Sequence, residues 1–206
     1  MAVQVKICWI TNLKDALAAV DAGADALGFI FVKSSPRFLE PVAAASIIRE
    51  IPARVRTIGV FVNESVETVR RVAEQTGLGA VQLHGNETPE VCQLLALAHP
   101  IKAFRVQDAT VLDDLPRYPG CEFLLDSYVP GQHGGTGAKF NWDIAVQAKT
   151  FGAPIFLAGG LTVENVADAV AKVAPHAVDV SSGVEISPGS KDHAKVREFI
   201  ARAKER

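Results

Sequence analysis

Cysteine is scarce in this chain of 206 residues, which contains only Cys8, Cys92 and Cys121. Their odd number and wide spacing speak against a disulfide framework and lack the paired arrangement of a structural zinc site. Long apolar runs are missing as well. No stretch approaches the roughly 18 residues needed to cross a bilayer, and the N-terminus lacks a basic segment followed by an apolar core and a cleavage site. A cytoplasmic protein is therefore expected. Neither sign of charge dominates, with 21 Lys and Arg against 23 Asp and Glu, a net charge of -2 and no block of like charges. Such a balance offers no electrostatic footprint for nucleic acid or anionic lipid. What the chain does have is 49% hydrophobic residues, which excludes a disordered or fibrous polymer and is enough for one substantial domain over residues 1–206.

Short apolar runs recur about every 25 residues: Val3 to Cys8, Ala26 to Phe31, Thr57 to Val62, Ala80 to Leu83, Ile101 to Phe104, Glu122 to Asp126, Pro154 to Ala158 and Ala177 to Val180. Most lack polar alternation, the pattern of strands covered on both faces in a parallel sheet. Helical punctuation lies between them. Asn12 caps Leu13 to Asp21 and Gly23 closes it; Pro41 opens a helix to Glu50; Asn63 or Ser65 starts one that ends at Gly77; and Thr88 precedes Pro89. Thr162 is expected to precede a helix over Val163 to Val173, and Ser190 a last helix to about Lys204. The fifth segment, Asp108 to Leu115, is short and weakly helical. Eight strand-then-helix units predict a (β/α)8 TIM barrel. An open doubly wound sheet is the rival, but no Gly-rich dinucleotide or phosphate fingerprint follows the first strand.

In such a barrel the chemistry sits at the carboxyl ends of the strands. Cys8, Arg37, His84 and Asp126 fall there, as do Gly159 and Gly160 after strand 7 and Ser181, Ser182 and Gly183 after strand 8. The glycines either make tight turns or let backbone N–H groups cradle a phosphate, as barrels frequently do after strands 7 and 8. Asp126 closes the run Phe123-Leu124-Leu125, where partial desolvation suits a proton donor; otherwise it caps a loop or pairs with a lysine. Cys8 is either an inert buried thiol or, aimed at the barrel mouth, a base once deprotonated. Cys92 and Cys121 are assigned to the inert class. Arg37, behind Ser34-Ser35-Pro36, offers a fork for a planar carboxylate or is a solvated surface arginine. His84 is a ligand, a base or a satisfied hydrogen-bonding residue, and it has no neighbours at metal-ligand spacing. The long stretch from Ser127 to Lys139 contains four glycines and suggests a lid or binding loop, or a disordered segment.

Taken in order, Val5-Lys6-Ile7-Cys8, Ala22-Gly23-Ala24-Asp25-Ala26-Leu27-Gly28-Phe29, Ser35-Pro36-Arg37, Gly59-Val60-Phe61-Val62-Asn63, Val81-Gln82-Leu83-His84-Gly85, Leu125-Asp126, Gly134-Gly135-Thr136-Gly137, Leu157-Ala158-Gly159-Gly160-Leu161 and Val180-Ser181-Ser182-Gly183-Val184-Glu185 closely resemble the phosphoribosylanthranilate isomerase family of tryptophan biosynthesis. The similarity spans almost the whole chain. It implies an Amadori rearrangement of N-(5-phosphoribosyl)anthranilate without cofactor or metal. Asp126 resembles the family's general acid, Cys8 its general base, and Arg37 the arginine that holds the anthranilate carboxylate. His84 joins the substrate-binding residues, and Asp179 orients a sugar hydroxyl. Gly159, Gly160, Ser181, Ser182 and Gly183 match the phosphate site. The expected partner is this small phosphosugar-anthranilate substrate alone, with neither nucleic acid nor membrane, and the protein is expected to be a monomer or a homodimer.

One position departs from the family, which usually has glycine directly after the catalytic cysteine where this chain has Trp9. An indole there crowds the first loop, redirects Cys8 or stacks on the anthranilate ring. Activity is expected to survive, because Cys8, Arg37, Asp126 and both phosphate loops are present. The competing readings are a ribulose-phosphate epimerase, which calls for a metal cluster of histidines and aspartates; the histidine-pathway isomerase, which would have aspartate in place of Cys8; and a non-catalytic phospho-ligand binder disabled by Trp9.

Overall fold

The computed structural model describes residues 2–127 and 141–205. Eight parallel strands close into a barrel in chain order: β1 (Gln4–Ile7), β2 (Ala26–Ile30), β3 (Arg56–Phe61), β4 (Ala80–Leu83), β5 (Pro100–Val106), β6 (Glu122–Ser127), β7 (Ile155–Leu157) and β8 (Ala177–Val180). β8 returns to β1 with Lys6 opposite Asp179, which shuts the cylinder. Helices α1 (Leu13–Asp21), α2 (Pro41–Ile48), α3 (Val66–Thr76), α4 (Pro89–Leu94), α5 (Trp142–Ala148), α6 (Val166–Val173) and α7 (His193–Lys204) alternate with the strands. After β5 the chain forms only short 3-10 turns, Ala109–Asp113 and Leu115–Arg117, as the weak helical signal there suggested.

Side chains alternate across each strand, so two separate cores form. Residues such as Val5, Ile7, Leu27, Phe29, Leu83 and Leu157 point outward and pack against the apolar stripes of the helices. Inward positions fill the barrel. Its lower part is apolar, built from Ala26, Ile58, Ala80, Ile101, Leu124, Phe156 and Ala177 among others. The same parity carries upward from Ala80 to Gln82 and His84, from Leu124 to Asp126 and from Ala177 to Asp179.

Several helix boundaries follow the capping residues. Asn12 accepts from the N–H of Asp15, Ser65 from that of Thr68, and α3 ends on Gly77 at φ 72°. Two expected starts move. α6 begins at Val166 rather than beside Thr162, because the Asn165 side chain accepts the Thr162 N–H at 2.9 Å and donates to the Gly160 carbonyl at 2.9 Å. Those bonds fold the intervening residues into a turn. Ser190 does not cap the last helix: residues Ser190–Lys191 form β10, paired antiparallel with β9 (Glu185–Ser187), and Asp192 caps α7.

Asp15 ties this hairpin to α1. Its buried carboxylate accepts from the Lys191 N–H at 2.9 Å and from Asn12 at 2.9 Å, and its other oxygen lies 2.7 Å from His193 Nε2. Burial opposes the charge, but the hydrogen bonds from His193, Lys191 and Asn12 outweigh it and lower the pKa from 3.8. A carboxylate depressed in the folded state stabilises it above the unfolded value, and that contribution is lost as pH falls through the folded value. Asp15→Asn is therefore expected to lose about 1–3 kcal/mol at neutral pH, with the deficit shrinking below pH 3.8. Urea unfolding at pH 7 and pH 3 checks this; an equal deficit at both would refute it.

Candidate active site

The barrel mouth opens into a cavity of about 580 Å³ lined by every site residue expected from the sequence: Cys8, Arg37, His84, Asp126 and Asp179, with Gly159, Gly160, Ser181, Ser182 and Gly183 on the last two loops. Strand ends supply most of these groups, so their spacing is fixed by the sheet rather than by flexible loops. Beyond Ser127, the expected glycine-containing loop lies outside the described residues.

Cys8 follows β1 on the same inward parity as Lys6 and is 3% exposed. The neighbouring strand leaves it room only because Gly28 has no side chain: a Cβ there would stand 2.5 Å from Cys8 Sγ and 3.2 Å from Lys6 Cε. Burial pushes the Cys8 thiol above its ordinary range. The Lys6 ammonium draws it back, Asp179 opposes and Lys191 assists. Lys6, fully buried, donates to Cys8 Sγ at 3.2 Å, to Gln82 Oε1 at 2.9 Å and to Asp179 Oδ1 at 3.0 Å. Asp179 thus sits in the site as the counter-ion of a lysine.

Across the mouth, Asp126 is 5% exposed and its Oδ1 accepts the N–H of Ser127 at 2.9 Å. Its Oδ2 lies 3.4 Å from Nε2 of His84. The other ring nitrogen, Nδ1, is 2.8 Å from the amide nitrogen of Gln82. Sequence placed His84 at a strand end; the structure adds that it faces the carboxyl group.

Arg37 is not a solvated surface arginine. Glu185 of β9 takes one edge of its guanidinium, with Nε at 3.1 and 3.2 Å from the two carboxylate oxygens and Nη2 at 2.7 Å from Oε2. The Trp9 ring packs against it, with Arg37 Cζ 3.8 Å from the ring centroid. This answers where the unusual indole goes: it is stacked on the arginine. Trp9 adopts φ 67°, a left-handed conformation that glycine occupies freely and other residues enter at a cost of roughly 1–2 kcal/mol. The cation–π contact offsets part of that cost.

The two glycine loops approach each other closely. Gly159 at φ 81° and Gly160 at φ 65° turn the chain after β7. A Cβ on Gly159 would strike the Ser127 backbone nitrogen, and one on Gly183 the Leu161 carbonyl. Glycine at these two positions is therefore what lets the turn after β7 pack on the end of β6 and the segment after β8 pack on the β7 turn. Since α6 starts only at Val166, its N-terminus does not directly follow Gly160, and the polar groups at this spot are those of the turn and of the 3-10 segment Ser182–Val184. Among the described residues no group of three or more His, Cys, Asp or Glu is arranged to hold a metal ion.

Sequence reasoning missed Lys6, Gln82, Glu185 and Lys191 as members of the site. Strand parity was a usable signal for the first two, since Lys6 is two residues before Cys8 and Gln82 two before His84. Glu185 and Lys191 meet their partners only through the hairpin, and no local pattern reveals that.

Residues 5–202 match the family model for N-(5'-phosphoribosyl)anthranilate isomerase. The chain is 57% identical over 201 residues to the protein of that name from Geobacter sp. (strain M21), covering 98% of each chain. Its fold superposes on the phosphoribosyl anthranilate isomerase from Thermotoga maritima with a TM-score of 0.93 at 43% identity and 98% coverage of both chains. It superposes equally completely, with a TM-score of 0.89 at 42% identity, on a structure of such an isomerase in complex with reduced 1-(o-carboxyphenylamino)-1-deoxyribulose 5-phosphate. The chain belongs to the N-(5'-phosphoribosyl)anthranilate isomerase family.

Proposed function

We propose that this chain converts N-(5-phosphoribosyl)anthranilate to 1-(2-carboxyphenylamino)-1-deoxyribulose 5-phosphate in tryptophan biosynthesis, with Asp126 as general acid and Cys8 as general base. The observation that carries this reading is the convergence of Cys8, Asp126, Arg37 and the glycine-containing turns after β7 and β8 on one cavity. Protonated Asp126 gives its proton to the ribose ring oxygen as the C1–O bond breaks, and the anthranilate nitrogen lone pair forms the C1=N bond of a Schiff base. Thiolate Cys8 then removes the C2 proton, and the released electron pair neutralises the Schiff base to an enolamine. The enolamine gains a proton at C1 and loses one from the C2 hydroxyl, giving the ketone. Atoms and electrons balance without a redox partner.

Binding is divided between two ends of an extended anion. The Gly159-Gly160 turn and the Ser181-Ser182-Gly183 segment receive the phosphate. Because Glu185 occupies the Nε edge of Arg37, the substrate carboxylate engages the edge that carries Nη1. His84 and Asp179 border the sugar between them. Loss of the substrate's anthranilate fluorescence on adding the protein tests the reading, and a folded protein that leaves the signal unchanged would overturn it.

Trp9→Gly separates positioning from chemistry. The substitution removes the backbone strain and the support under Arg37, leaving the Glu185 pair in place. A rise in KM of about two- to fivefold with kcat nearly unchanged is expected, in line with a cation–π contact of about 0.5–1 kcal/mol. A kcat that climbs instead would mean that the indole obstructs the reaction.

A further inference from the structure

Lys6 is a fully buried cation in the middle of an apolar strand, and the acid–base pair described above does not account for it. Burying a charge this deeply is costly unless it is fully paired. Three acceptors surround its Nζ: Asp179, Gln82 and Cys8. An ammonium group only donates, so the hydrogens of this cluster can be assigned one after another. Gln82 must turn its carbonyl oxygen to Lys6, and its amide N–H then donates to His84 Nδ1, 2.8 Å away. With Nδ1 accepting, the proton of neutral His84 is on Nε2. That N–H faces Asp126 Oδ2 at 3.4 Å, and Nε2 has no hydrogen-bond partner among the described residues.

Resting on the Asp126 and Cys8 roles above, we propose that Lys6 is a positioning residue for both catalytic groups: it holds Cys8 directly and, through Gln82 and His84, presents an N–H to Asp126. The contact to Asp126 strengthens as the reaction proceeds, whereas the contact to Cys8 is strong from the start. While Asp126 Oδ2 bears its proton, the His84 N–H faces only a weak acceptor. Once that proton has moved to the ribose oxygen, the carboxylate accepts it. For Cys8 the order is reversed: the thiolate that serves as base is a good acceptor for Lys6, and the contact weakens only when Sγ takes the C2 proton. The His84 contact grows as charge develops on Asp126 and so lowers the barrier rather than merely binding substrate, while the Lys6 contact keeps Cys8 available as the thiolate base.

The surrounding charges agree with this assignment. Burial works against the Lys6 ammonium, but Asp179 and Cys8 outweigh it and hold the group above its ordinary value. Cys8 is faced by Lys6 on its own strand, Asp179 on β8 and Lys191 on β10; Lys191 in turn faces Glu185 and Arg37. Replacing Lys6 removes the nearest of the two cations and leaves the Asp179 anion.

Nitrogen-15 NMR of the unmodified enzyme at neutral pH gives the first test. His84 is expected as the Nε2-protonated neutral tautomer; protonation at Nδ1 overturns the proposal. Gln82→Met should scramble the tautomer and lower kcat about tenfold with KM little altered, and an unchanged kcat counts against it. In Lys6→Met, site-resolved alkylation of Cys8 by iodoacetamide should slow about tenfold or more and its pH inflection should rise; an unchanged inflection refutes the direct contact. Should Lys6→Met leave too costly an unpaired Asp179 to fold, Lys6→Met with Asp179→Asn removes both charges and supports the same two measurements. The two levels of inference fail differently. Turnover with the wrong His84 tautomer sinks the role of Lys6 alone, whereas the right tautomer without turnover of the anthranilate substrate sinks the isomerase reading.

Discussion

Asp126→Asn is expected to lower kcat by about 10²–10⁴-fold while the barrel stays folded, the usual loss when a positioned proton donor is removed. The substitution keeps the shape of the side chain and an oxygen that can accept the Ser127 N–H, as Asp126 Oδ1 does at 2.9 Å. What it removes is the carboxyl group proposed as the proton donor at the barrel mouth. KM should change little, because the proposed anchors for phosphate and carboxylate are other groups. Cys8→Ala should bring a loss of similar size by a different route. It empties a small volume between β1 and Gly28 and takes away the proposed base, so a Schiff base should still form but should not lose its C2 proton. Anthranilate fluorescence measures both variants. If either retains full activity, its assigned role is wrong, and the cavity's other titratable groups would have to carry the step.

Gly183→Ala should damage binding instead of chemistry. The added methyl would run into the Leu161 backbone carbonyl and come within 3.3 Å of Val180 Cγ2. Neither obstacle is the free end of a flexible chain, so the loops after β7 and β8 must part. Overpacking of this kind costs about 1–3 kcal/mol. Separating the turns displaces the backbone groups on both sides of the proposed phosphate subsite. We expect KM to rise at least about tenfold, which corresponds to about 1.4 kcal/mol of lost binding, with kcat reduced far less. Inorganic phosphate should inhibit the parent enzyme competitively and the variant more weakly. Equal inhibition of the two would place the phosphate elsewhere.

Most of the scaffold could be read from the chain because local signals agree with one another there. Each barrel strand coincides with an apolar run, and Asn12, Ser65 and Gly77 mark helix ends by their own hydrogen bonding or backbone preference. The start of α6 escaped such reading because a side chain, Asn165, captures backbone groups that a helix would otherwise use. Within the site, Cys8, Asp126 and the glycine turns stood out by position at strand ends. Lys6 did not, since a lysine inside an apolar strand looks like an interruption until its three acceptors are known. The Arg37–Glu185 pair joins residues 148 positions apart, a separation that no periodicity encodes. Trp9 illustrates the limit from the other side: the departure from glycine was visible, whereas its left-handed φ and its stack on Arg37 required coordinates.

The alternation of side chains along β1, β4 and β8 gives the protein two nearly independent genetic surfaces. Val5, Ile7, Val81, Leu83, Val178 and Val180 belong to the outer core, whereas Lys6, Gln82 and Asp179 between them face the barrel axis. A one-residue slip in any of these strands would exchange the two sets at once, so insertions or deletions here are far less tolerable than substitutions. The outer set can drift among apolar residues of similar volume, changing thermal tolerance while the chemistry persists. The inner set can be redrawn for another small phosphorylated substrate on a shell that does not have to be rebuilt.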